Sequence, residues 1–154
     1  MNSATVAAEV PVTLADIEAA RERIRGGIYE SPCVESIPLS QLTGAHIYCK
    51  LDYLQRTGSF KERGARNALL SLDESARTRG VIAASAGNHA QGVAYHGALL
   101  GIPVTVVMPK FASLMKVSNC RHLGATIASR SGACSRISNA IVPWPAMTWA
   151  LSNG

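Results

Sequence analysis

Two short segments of this 154-residue chain carry residue types that could do chemistry. The first is Thr57-Gly-Ser-Phe-Lys-Glu-Arg-Gly-Ala65, in which Lys61 follows small polar residues at the start of a helical pattern. A helix N-terminus carries partial positive charge, so it disfavours a cation and favours a neutral amine. A neutral lysine amine is the nucleophile of Schiff-base chemistry. The alternative is a solvated surface lysine. The second segment is Ser85-Ala-Gly-Asn-His-Ala-Gln-Gly92, set between an apolar run and a helical pattern. Backbone N–H groups at such a turn emerge from a helix N-terminus and can cradle an anion. Gly87 permits close backbone approach. The glycines lie five apart and no Lys-Ser/Thr follows, which excludes the dinucleotide and P-loop fingerprints. The alternative is an ordinary strand-to-helix turn capped by Asn88.

The elements that would position these segments follow from period and punctuation. Thr13 and Asp16 have capping-box spacing, and Leu14, Ile17, Ala20 and Ile24 form one apolar stripe that predicts an inward-facing helix ended by Gly26-Gly27. Ser31-Pro32 and Ile37-Pro38 predict extended chain. Leu39–Leu42 predicts a helical turn closed by Gly44, and residues 45–50 a strand. Thr57 or Ser59 would cap a helix running to about Leu72. From Val81 the rhythm changes. Strands at 81–85, 104–108 and from 125 alternate with helices at 88–100 and 113–123, the former with Ala90, Val93, Ala94 and Ala98 inward. That alternation predicts an α/β protein, a parallel sheet with flanking helices and right-handed crossovers. Val104-Thr-Val-Val-Met108 reads as a strand buried on both faces. After Ile127 no such periodicity continues.

Composition bounds the function class. Charged residues are 16% and apolar residues 47%, which excludes a disordered or coiled-coil chain. All ten acidic residues lie at or before Glu74, so residues 75–154 carry seven basic side chains and none acidic. Those seven are dispersed and lack interleaved aromatics, which argues against nucleic acid; a basic half that receives a small anion fits the charge equally well. Cys33, Cys49, Cys120 and Cys134 have neither CxxC nor zinc-ligand spacing, so reduced thiols and no metal are expected. The first twelve residues do not read as a signal peptide. The uncharged run 80–109 is broken by polar residues and is no membrane span. A cytoplasmic protein is expected.

SFKERGA and SAGNHAQG together resemble the threonine/serine dehydratases of the fold type II family of pyridoxal-phosphate (PLP) enzymes. The segments LADIEAARERIRGGIYESP, YLQRTGSFKERGARNALLSL, GVIAASAGNHAQGVAYHGALLGIPVTVVMP and KVSNCRHLGATI extend the likeness over Val12 to Ile127. The resemblance implies that Lys61 forms the Schiff base with pyridoxal 5'-phosphate. It implies Phe60 beside the cofactor ring and Asn88 hydrogen-bonded to a ring oxygen. It implies a substrate carboxylate on Ser85, Ala86, Gly87, Asn88 and His89.

The implied reaction is β-elimination of L-threonine to 2-oxobutanoate and ammonia, or of L-serine to pyruvate, in threonine catabolism or isoleucine biosynthesis. Lys61 would take the α-proton while the cofactor acts as electron sink. Homo-oligomers are the family's habit. The likeness divides the chain into residues 1–75, part of a large PLP domain; 76–127, an incomplete small α/β domain; and 128–154, an unrelated, irregular tail. The family's glycine-rich phosphate loop lies downstream of these motifs, so the expectation is a fragment left by truncation or a frameshift after Ile127. A catalytically inactive fragment and a serine racemase-like relative are the alternatives. An open sheet edge and uncovered apolar faces predict marginal stability.

Overall fold

The structure is a computed structural model that describes residues 12–130 and 141–143. Helix α1 spans Leu14–Ile24. Its capping box is formed: Thr13 Oγ1 accepts from the Asp16 N–H at 3.3 Å, and Asp16 Oδ2 accepts from the Thr13 N–H at 2.8 Å. The expected inward stripe is corrected. Only Ile24 is buried, whereas Leu14 and Ile17 are 70% and 57% exposed. A capped end and an apolar period specify a helix, but burial requires a partner surface, and the described residues place none over the first turns of α1.

Strand β1, Cys33–Glu35, pairs antiparallel with β2, Tyr48–Lys50. Between them α2 spans Ile37–Thr43 and ends at Gly44 with φ 72°. The extended reading of Ile37-Pro38 is thus corrected: Pro38 sits in the first turn, where a missing N–H costs nothing. Cys33 faces Lys50 and Val34 faces Cys49 across the ladder, so the two thiols lie on opposite faces. Cys33, Cys49 and Cys120 are free, and Cys120 is fully buried. Cys134 lies outside the described residues.

After a 3-10 turn at Asp52–Leu54, helix α3 spans Lys61–Leu70. A short helix α4, Glu74–Arg79, was not foreseen; six residues show no period, although Asp73 caps it through the Ala76 N–H at 2.7 Å. Then follow β3 (Val81–Ala84), α5 (Asn88–Leu100), β4 (Val104–Pro109), α6 (Leu114–His122) and β5 (Thr126–Arg130). The three strands are parallel as expected, with Val81 opposite Val104 and Val106 opposite Ile127. Within the stretch expected to be irregular, β5 continues to Arg130 and β6, Ile141–Pro143, pairs antiparallel with β3. The sheet order is β5-β4-β3-β6. β6 satisfies the hydrogen-bonding edge that β3 would otherwise present.

One core joins Val81 and Ala83 of β3, Val104, Val106 and Met108 of β4, and Ala90, Val93 and Ala94 of α5. Ala65 and Leu69 of α3 belong to the same core, so it runs across the junction at residues 75 and 76. Ala98, expected inward, is exposed, and His96 and Gly97 take buried positions instead. α5 is pressed between β4 and α3, so its buried face is wider than its apolar period. Gly97 is required for that approach: a Cβ there would lie 2.2 Å from Val104 Cγ2.

Candidate active site

The turn before α3 delivers Lys61 to its place. Gly58 has φ 73°, which favours glycine and reverses the chain after Thr57. Ser59 is buried, and its Oγ accepts from the Lys61 N–H at 3.3 Å. Phe60 stands at the cap position with 61% exposure, and its ring centroid lies 5.2 Å from Lys61 Nζ. Lys61 is therefore the first helical residue of α3, where partial positive charge collects.

The second segment lies at the carboxyl end of β3. The Ser85 N–H extends the parallel ladder by donating to Val107 O at 3.2 Å. Ser85 Oγ accepts from the Gly87 N–H at 3.2 Å, a local turn that aims the following amides outward. Gly87 is extended, and a Cβ added there would meet nothing within 4 Å. Ser85, Ala86 and Gly87 are half-buried; Asn88, at the first position of α5, is exposed. His89 is buried, and its Nε2 has no partner among the described residues. Burial, reinforced by the Lys61 charge, holds the His89 imidazole below its ordinary value.

Packing of α3 against α5 brings the two segments together. Gly92 makes this possible: a Cβ there would lie 3.4 Å from the backbone of both Lys61 and Glu62. The result is a cleft of about 380 Å3 lined by Phe60, Lys61, Gly64, Ala65, Ala68 and His89. Ile141 of β6 closes one side. Of the residues singled out from sequence, Phe60, Lys61 and His89 thus meet in one cleft. Ser85, Ala86, Gly87 and Asn88 form the adjoining turn and are not among its lining.

Sequence reasoning missed Ile141 and two polar pairs. Ile141 lay in a stretch without period. Asp52 and Arg63 form a bidentate pair, Nε to Oδ2 at 2.8 Å and an Nη2 to Oδ1 at 2.9 Å, which ties the 3-10 turn to α3. Hydrogen bonding from Arg63, aided by Ser31 and Gln55 and opposed by burial, holds the Asp52 carboxyl well below the usual carboxylate range. Glu62 and His96 are both buried behind Lys61. Charged types inside apolar patterns were the available signal for these pairs.

A family profile described as pyridoxal-phosphate dependent enzyme matches residues 24–137, beyond Ile127 and over most of the chain. The chain belongs to this family. L-threonine ammonia-lyase of Thermotoga maritima is 48% identical over 116 residues, 75% of this chain and 29% of that protein. A catabolic L-threonine dehydratase of Staphylococcus aureus is 43% identical over 127 residues, 82% of this chain and 37% of that protein. The crystal structure of serine racemase from Dictyostelium discoideum superposes with a TM-score of 0.77 at 36% identity, covering 82% of this chain and 41% of that one. The chain thus spans about a third of the length of the curated relatives it matches. Family membership assigns PLP as cofactor and the fold type II α/β architecture.

The residues of the cleft fit that cofactor. A lysine amine and an aromatic ring flank it, the His89 side chain with its unpartnered, buried Nε2 stands at its wall, and a Cβ at Gly64 would meet nothing within 4 Å. Its volume falls within the roughly 300–1,000 Å3 usual for small-molecule sites. Among the described residues, no three His, Cys, Asp or Glu side chains are grouped to hold a metal, and no helix is long and apolar enough to cross a membrane.

Proposed function

We propose that this chain carries the lysine and the substrate-carboxylate turn of an L-threonine ammonia-lyase, forming 2-oxobutanoate and ammonia, with L-serine as a second substrate yielding pyruvate. The observation that carries this reading is that Lys61 and His89, from segments about thirty residues apart, line one cleft. When bound, PLP supplies an electron sink for bond cleavage at the amino acid's α-carbon. Lys61 Nζ would anchor the cofactor covalently and then carry the α-proton. Phe60 would lie beside the ring, and Asn88, exposed at the start of α5, would hydrogen-bond its oxygen. Ser85, Ala86, Gly87, Asn88 and His89 would hold the substrate carboxylate, since a helix N-terminus favours an anion. The buried, neutral imidazole of His89 adds no second positive charge beside Lys61. A cytoplasmic setting and self-association belong to the same reading.

The test is borohydride reduction of the chain with PLP, followed by peptide mass spectrometry. Label on Lys61 is expected; label on Lys50 or Lys110 in its place would overturn the assignment. The likeness to serine racemase favours a second reading, a racemase. Release of D-serine from L-serine without 2-oxobutanoate from L-threonine would select it.

A further inference from the structure

Directly behind Lys61 lies a buried polar pair that the proposed chemistry does not use. Glu62, the next residue of α3, is 1% exposed, and His96 of α5 is fully buried. Glu62 Oε2 lies 3.4 Å from His96 Nε2, a contact without a hydrogen bond, and neither ring nitrogen of His96 has a hydrogen-bond partner among the described residues. The other carboxylate oxygen, Oε1, accepts from the Thr57 N–H. One carboxylate therefore reaches the turn before Lys61, the helix that begins with Lys61, and the helix that follows the SAGNH turn. Burying a carboxylate and an imidazole costs stability unless each is satisfied, so their presence beside the lysine asks for a reason.

The surroundings are built around the pair. Gly92, one turn before His96, lets α5 touch the Lys61 and Glu62 backbone. The Tyr95 ring meets the His96 ring edge-on at 5.0 Å, and Tyr95 Oη accepts from Arg56 at 3.2 Å. Arg66, one turn along α3, brings a buried Nε without a partner among the described residues. Gly27 makes room for it: a Cβ there would lie 1.8 Å from Arg66 Cζ.

We propose that Glu62 and His96 are positioning residues for Lys61. The carboxylate ties the Thr57–Phe60 turn to α3 through the Thr57 N–H, and His96 of α5 packs against its other oxygen. Lys61 is thereby held against the His89 cleft instead of swinging with the turn. The inference rests on the assignment of Lys61 above, but its test needs no cofactor.

The experiment is acetylation of the full chain by a water-soluble acylating reagent, read lysine by lysine by mass spectrometry, with Lys110 and Lys116 as internal references. Glu62→Ala removes the acceptor of the Thr57 N–H and is expected to raise the Lys61 rate at least threefold relative to the references. Glu62→Gln keeps an acceptor oxygen and is expected to stay within twofold of the parent. An unchanged Lys61 rate in Glu62→Ala overturns the proposal. So does an equal rise at all three lysines in both variants, which would mean a merely structural role. Hydrogen exchange of the unmodified chain supplies an arm that needs no variant. The Thr57 amide is expected to exchange at least tenfold more slowly than that of Gly58. Exchange of Thr57 as fast as in a free peptide would overturn the proposal. Failure of PLP to label Lys61, with these results intact, would sink the functional reading alone.

Discussion

Asn88 separates function from stability because its side chain is exposed and has no hydrogen-bond partner among the described residues. Asn88→Ala is therefore expected to leave the unfolding free energy within about 0.5 kcal/mol of the parent. PLP affinity is expected to fall by about 1–3 kcal/mol, the usual cost of leaving a charged oxygen short of a donor. Fluorescence titration with PLP and a urea melt measure the two quantities. An unchanged affinity would count against the proposed contact. Arg63 behaves in the opposite way. Its fork on Asp52 is 34% exposed on the arginine side and 14% on the aspartate side, so solvent screens part of its strength. Arg63→Ala is expected to cost about 1–3 kcal/mol in a urea melt at pH 7. Asp52 ionises at lower pH folded than unfolded, so the stability it contributes is present above its ordinary 3.8 and is lost as pH falls below that value. The Arg63→Ala deficit should accordingly be smaller at pH 2.5 than at pH 7.

At the scale of elements, the close approach of Gly97 to Val104 decides where α5 lies on β4. Gly97→Ala would drive a methyl into Val104 and is expected to cost about 1–3 kcal/mol, visible as a lowered urea midpoint. A variant as stable as the parent would mean that α5 does not sit on β4 as described. α5 also carries two buried histidines. Burial holds both below their ordinary 6.5, with the Lys61 charge adding at His89, and with Glu62 opposing and Arg66 adding at His96. The unfolded chain therefore takes up protons first as pH falls. Stability is complete above about pH 6.5 and declines below it until the folded imidazoles titrate. The urea midpoint should be lower at pH 5.5 than at pH 7.5, and His96→Gln should flatten that slope. A midpoint that rises on acidification would contradict the burial of both rings.

At the scale of the molecule, burial is uneven. The core lies around β3, β4, α5 and part of α3, while the N-terminal elements expose Leu14, Ile17, Ile37, Leu42 and Tyr48. Phe111 and Leu114, before and at the start of α6, are 87% and 86% exposed. So much uncovered apolar surface favours association. A chain of these 154 residues is expected to sediment as concentration-dependent oligomers at tens of micromolar and to bind a hydrophobic dye. A monodisperse monomer without dye binding would overturn that expectation.

What the sequence determined by itself was local and chemical. Caps, glycines and periods placed α1, α3, α5 and the parallel strands, because these depend on neighbours a few residues away. Lys61 and the Ser85–His89 turn were legible because a basic residue at a helix start and a glycine turn after a buried strand are unusual in type. Only the tertiary structure decided which faces are covered. It left Leu14 and Ile17 exposed, buried Glu62 and His96, and set β6 against β3. Each of those outcomes depends on surfaces brought together from distant parts of the chain. No residue's own spacing reports the partner it will meet.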